Sequence, residues 1–215
     1  MYALLTGPLL WLSLLVFFIG SLFRIIQMFR LAKKEKVIYP YMTVRHSLRS
    51  IIHWIVPFAG RNMRLRPFMT IATFAFHLSL FAAPLFLVAH NVILDARWGV
   101  SLWVLPETVA DVLTLIVIAV CVFFFVRRMF APEVLYVTSW GDVILLVLIA
   151  LPFVTGFIAH HQFFASRAVL IAHIILGEIM LMLVPFTRLS HMLYFFFTRA
   201  YMGCEFGNVR NSRDW

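Results

Sequence analysis

A chain of 215 residues that is 63% hydrophobic, 16% aromatic and only 13% charged has too little polar surface for a soluble domain and reads as an integral membrane protein. The net charge of +9 raises nucleic acid as a partner, but the basic residues gather between apolar runs, which argues against it. The two cysteines, Cys121 and Cys204, have no CxxC neighbour, which argues against a zinc or iron–sulfur site held by this chain alone. Cys121 is expected to be buried packing and Cys204 a plain cytoplasmic thiol.

The first apolar run, about 4–29, has no basic segment ahead of it and no small-residue cleavage site, so it reads as a retained helix. A basic connection leads on to Arg66. Within it, HSLRSIIHWIVPF sets Leu48, Ile51, Ile52 and Ile55 at helical spacing, which predicts an amphipathic helix in the membrane interface over about 46–58. His46 and His53 lie on it and read as interfacial side chains.

A second span, about 68–94, contains FHLSLFAAPLFLVAH, with His77 and His90 on either side of Pro84. Thirteen residues at about 100° each do not return to the same helix face, so a proline kink or widened turn is needed to bring both histidines to one side. The following loop, to Glu107, carries Trp98 and Trp103, which suit an aromatic belt. A third span runs over about 107–126 and ends in Arg127–Arg128. A fourth runs over about 137–159; Pro152 and Gly156 are expected to bend it, and His160 and His161 stand at its far end.

The fifth span, about 168–197, holds HIILGEIMLMLVPFTRLSH, from His173 to His191. On one continuous helix, 18 residues make a whole number of turns, so both imidazoles would share a face roughly 27 Å apart. A polar, basic tail runs from Arg199 to Trp215. The expected fold is an all-α integral membrane protein: one domain over 1–215 with five transmembrane helices. Lys and Arg crowd one side of this topology, from Arg24 to Arg66, at Arg127 and Arg128, and at Arg188, Arg199, Arg210 and Arg213, against Arg97 and Arg167 on the other. That imbalance predicts an outside N-terminus and a cytoplasmic C-terminus.

With spans two and five antiparallel, His77 falls at the depth of His191 near the cytoplasmic face, and His90 at the depth of His173 near the outer face. Facing imidazoles are a ligand set for six-coordinate haem iron, and two such pairs at different depths would conduct electrons across the membrane. The alternative is packing histidines hydrogen-bonded across helices. Gly177, one turn from His173, would let a flat macrocycle approach or serve small-residue packing. Arg188, about one turn before His191, would pair with a haem propionate or snorkel to the interface. Glu178 would serve protons or quinol, or bond a neighbouring helix. His160, His161 and Arg167 at the outer face would border a quinone pocket or a partner's docking surface, or form an ordinary loop.

The FH of span two, together with HIILGEIMLMLVPFTRLSH in span five, resembles the b-type cytochrome (gamma) subunit of respiratory nitrate reductase; PFTRLSH and its spacing to His173 are the specific part. The opening MYALLTGPLLW, the FHLSLFAAPLFLVAH span and LPFVTGF in span four are more similar to a subgroup: the membrane cytochrome b subunit of the Hmc and Tmc transmembrane redox complexes of sulfate reducers. The resemblance covers nearly the whole chain. It implies two haem b groups, one held by His77 and His191 and the other by His90 and His173. It implies assembly with a cytoplasmic heterodisulfide-reductase-like iron–sulfur subunit, a periplasmic multihaem cytochrome c and other membrane subunits. In the nitrate reductase subunit the two span-two histidines are closer together than His77 and His90.

The expectation is therefore a multi-pass subunit of the bacterial inner membrane. It would pass electrons between a periplasmic cytochrome or the menaquinone pool and a cytoplasmic iron–sulfur partner, with no bond-making chemistry of its own. A non-haem membrane scaffold is the rival; a transporter would show an inverted repeat, and none is evident.

Overall fold

The computed structural model describes residues 2–164 and 167–213; the last two residues of the predicted tail, Asp214 and Trp215, lie outside them. The described residues are mostly helical, with no strand among them. The main helices are α1 (Tyr2–Ala32), α2 (Val44–Ile55), α3 (Pro67–Phe86), α4 (Val88–Trp98), α5 (Glu107–Phe130), α6 (Trp140–His160), α7 (Arg167–Leu183) and α8 (His191–Cys204). Among the described residues, five stretches are long and apolar enough to cross a membrane: α1, α3, α5, α6, and α7 with the turn that continues it to Phe186.

Local chemistry explains the ends. Ser139 and Asp142 form a capping box that opens α6, closing donors that a helix start leaves free. Glu107 lies in the first turn of α5 and Arg127 and Arg128 in its last, complementing the helix dipole. Gly99, with φ +62°, terminates α4 in the left-handed conformation that glycine adopts without strain.

Two differences from the sequence reading matter. The second span is not one helix: Leu87 turns extended, with ψ 135°, and separates α3 from α4. The fifth predicted helix is also interrupted. It passes into a 3₁₀ turn at Val184–Phe186 and a second at Arg188–Ser190 before α8 begins at His191. Pro185 has no N–H to donate and ends the α-helical ladder there. His173 and His191 therefore do not lie on one continuous helix, and the 18-residue spacing does not set them on a common face.

The chain divides into two compact units, one of Ala3–Ile71 with the chain from Leu181 onward, the other of Ala72–Met180. In the first, Gly20 of α1 receives the interrupted segment: a Cβ there would lie 2.8 Å from Pro185 Cγ. Phe29 meets Phe197 edge to face at 5.3 Å. Helix α8 packs on the amphipathic α2 so closely that a Cβ on Gly203 would sit 2.5 Å from the His46 carbonyl oxygen. Beneath this contact Cys204 is fully buried, and its sulfur accepts from the Thr43 N–H at 3.3 Å. Cys204, expected as a plain thiol of the polar tail, is thus buried in the packing of α8 on α2.

Between α1 and α2, the Glu35 carboxylate accepts from the backbone N–H groups of Val37, Ile38 and Tyr39 at 2.5–2.8 Å. These bonds, that from Tyr39 foremost, hold its carboxyl below the ordinary carboxylate range. In the second unit α5 and α6 pack together around Val117, Cys121, Ile149 and Phe153, all buried, so the expectation of a buried Cys121 agrees with the structure.

Candidate functional site

The break at Leu87 frees carbonyls that a continuous helix would have satisfied. Three side-chain or backbone donors take them. His90 Nδ1 lies 2.8 Å from the Pro84 oxygen. Asn91 Nδ2 donates to Leu85 at 2.9 Å and to Leu87 at 3.1 Å. The Leu105 N–H donates to Phe86 at 2.9 Å. Asn91, itself buried, also accepts from the Leu102 N–H at 2.8 Å, tying the loop after α4 back to the break. The break therefore fixes the orientation of the His90 ring.

His173, on α7, faces α6. Its Nδ1 lies 2.9 Å from the Pro152 oxygen, and Gly156 makes room for the ring: a Cβ at 156 would stand 2.8 Å from His173 Cε1. Pro152 and Gly156, expected to bend the fourth span, lie within α6 and seat this imidazole. Gly177, one turn along α7, borders open space, since a Cβ there would meet nothing within 4 Å.

The structure brings His90 and His173 together. Their ring centroids are 5.9 Å apart and the planes 12° from parallel. A carbonyl oxygen can only accept, so each Nδ1 carries the proton and each Nε2 carries the lone pair. An ion held between two imidazole nitrogens by bonds of about 2 Å sets the ring centres roughly 6 Å apart, and this pair stands at that separation. By donor chemistry and spacing, His90 and His173 would suit as the residues that hold a haem.

His77 and His191 belong to different units. Each has the same tautomer-setting bond, His77 Nδ1 to the Thr73 oxygen at 2.8 Å and His191 Nδ1 to the Arg188 oxygen at 2.9 Å. Phe76 stands edge-on to the His77 ring. Arg188 opens the 3₁₀ turn ahead of α8, so its backbone orients His191.

At the Glu107 end of α5, His161 Nε2 lies 3.1 Å from Asp111 Oδ2, with His160 beside it. Arg167, exposed at the start of α7, is separated from His160 and His161 by a segment that includes residues outside the described set. Asp111 escaped the sequence reading because an acid in the first turns of a span passes for a dipole partner. Glu178 is 3% exposed, and neither carboxyl oxygen has a hydrogen-bond partner among the described residues.

No protein-family model matches the chain, and no solved structure matches it. A protein of Nitratidesulfovibrio vulgaris (strain Hildenborough), named simply "Protein", is 43% identical over 215 residues, covering 98% of this chain and 95% of the relative. With that identity along almost the full length of both, the chain belongs to the same family as this Nitratidesulfovibrio protein.

Proposed function

We propose that this protein is a di-haem b subunit of a respiratory redox complex in the bacterial inner membrane. It passes electrons between a periplasmic multihaem cytochrome c or the menaquinone pool and a cytoplasmic iron–sulfur subunit. The observation that carries the reading is the His90–His173 pair: parallel imidazoles from two helices, 5.9 Å apart, each with its Nδ1–H committed to a backbone carbonyl.

A haem bound between them supplies reversible one-electron chemistry at iron. The chain's own work is to hold and tune. The Pro84 and Pro152 carbonyls fix the tautomer and ring orientation and raise the basicity of the ligating nitrogens. Gly156 admits the His173 ring, and the open surface at Gly177 leaves room for the macrocycle. On the sequence reading, a second haem belongs to His77 and His191, with Arg188 toward its propionate, and His160, His161 and Arg167 border a quinone or partner surface at the outer face. The charge distribution supports an outside N-terminus and a cytoplasmic C-terminus.

A reduced-minus-oxidised spectrum of the purified chain, with haem stoichiometry from extracted pigment, tests the proposal. A b-type α-band with two haems per chain is expected, and one haem should be lost in His173→Ala. A chain purified without any haem band would refute the reading.

A further inference from the structure

We propose that Asp111, His160 and His161 form a binding site for one divalent first-row transition metal ion, a clamp between the start of α5 and the end of α6. One ligand atom from each residue can be chosen so that all lie within 4.8 Å of one another. The His161 Nε2 to Asp111 Oδ2 distance is 3.1 Å. Ligands bound at about 2.0–2.2 Å stand about 3.0–3.5 Å apart for bond angles between octahedral and tetrahedral values. One edge of the coordination shell is thus already formed, and His160 lies within reach to supply the third ligand.

Consecutive residues inside a helix point away from each other. Here α6 ends at His160, and His161 leaves it with φ −81° and ψ 0°. That exit lets the two rings approach, with centroids 5.0 Å apart and planes at 80°. The His161 ring is further held by Phe157 at 4.4 Å and Phe163 at 5.5 Å. Both histidines are exposed and Asp111 is partly so, which leaves the remaining coordination positions to water.

Two imidazoles and one carboxylate select zinc, cobalt, nickel, copper or iron over magnesium or calcium, which require mostly oxygen ligands. The site does not depend on haem.

The test is titration of the full-length, detergent-solubilised protein with Zn²⁺ against a chromophoric chelator in excess Mg²⁺. One tight equivalent per chain is expected. Asp111→Asn and His161→Gln should each weaken it at least about tenfold, while His53→Ala, on α2, should leave it intact. Co²⁺ loading gives a second readout: a visible d–d absorption in the wild type that disappears in His161→Gln. Absence of a tight equivalent in the wild type, or its survival in Asp111→Asn and His161→Gln, would overturn the proposal. Thermal midpoints measured without metal separate loss of ligand from loss of fold.

Discussion

The Gly156 backbone leaves the space that the His173 imidazole occupies: a Cβ there would lie 2.8 Å from Cε1 and 3.0 Å from Nδ1 of that ring. The ring cannot retreat without giving up its bond to the Pro152 carbonyl and its place opposite His90. Gly156→Ala is therefore expected to destabilise the protein by about 1–3 kcal/mol, as an overpacked core site does. Gly177→Ala, whose added methyl meets no protein atom within 4 Å, provides the contrast: by protein packing alone it should be neutral or stabilise by about 0.5–1 kcal/mol. Thermal midpoints of the two variants in detergent check the pair, and equal behaviour would contradict the packing argument.

Asn91 has its three polar contacts in one place. Its amide serves the Leu85 and Leu87 carbonyls and its oxygen serves the Leu102 N–H. Asn91→Leu takes the side-chain partner from the Leu85 carbonyl and the Leu102 N–H, while the Leu87 carbonyl keeps the Asn91 N–H at 3.0 Å. Leaving a polar group unsatisfied costs about 1–3 kcal/mol, so a loss of that order is expected. Because Asn91 adjoins His90, the variant should also loosen the His90 ring. Amide hydrogen exchange over residues 84–105 is the measurement, with faster exchange confined to the break and its loop as the expected result.

The spans were legible in the sequence because hydropathy over a helix length needs no knowledge of neighbours. The amphipathic helix was legible for the same reason, from Leu48, Ile51, Ile52 and Ile55. The interruption at Leu87 was not. Pro84 announces a disturbance, but where the helix parts depends on which donors can take the freed carbonyls, and those come from His90, Asn91 and Leu105. The break after His173 was missed although Pro185 was in view, because the 18-residue spacing assumed an unbroken ladder. The role of Gly156 beside His173 was not legible, since its partner lies on another helix. Cys204 sits in a stretch whose composition says solvent, and the cover from α2 is a tertiary fact.

Glu178 presents the opposite situation to Asn91, a buried carboxyl whose two oxygens have no hydrogen-bond partner among the described residues. Removing an unsatisfied buried polar group relieves a cost of about 1–3 kcal/mol. Glu178→Leu, close in volume, is expected to raise the thermal midpoint in the detergent-solubilised protein. A fall of similar size would show that the carboxyl has a partner after all. If stability rises while electron transfer through the assembled complex falls, the residue is held against its folding cost for function.

The acid limb of stability should carry the mark of Glu35. Backbone N–H groups of Tyr39, Ile38 and Val37 bind its ionised form and lower its pKa below the ordinary value of 4.5. The folded state therefore holds the charged carboxylate more firmly than the unfolded state does. That contribution is complete above the ordinary value and disappears as the pH falls through the lower folded value. Tyr201, whose hydroxyl donates to Glu35, has its own pKa raised, by burial first and then by that bond and the nearby charge, so the pair ties the α1–α2 connection to α8 at neutral pH. Glu35→Gln should lower stability at pH 7, and the gap from wild type should narrow as the pH drops below 4.5. Thermal midpoints across pH 3–7 give the comparison; a gap that stays constant through that range would mean the carboxylate's bonds to Val37, Ile38 and Tyr39 contribute nothing that depends on its charge.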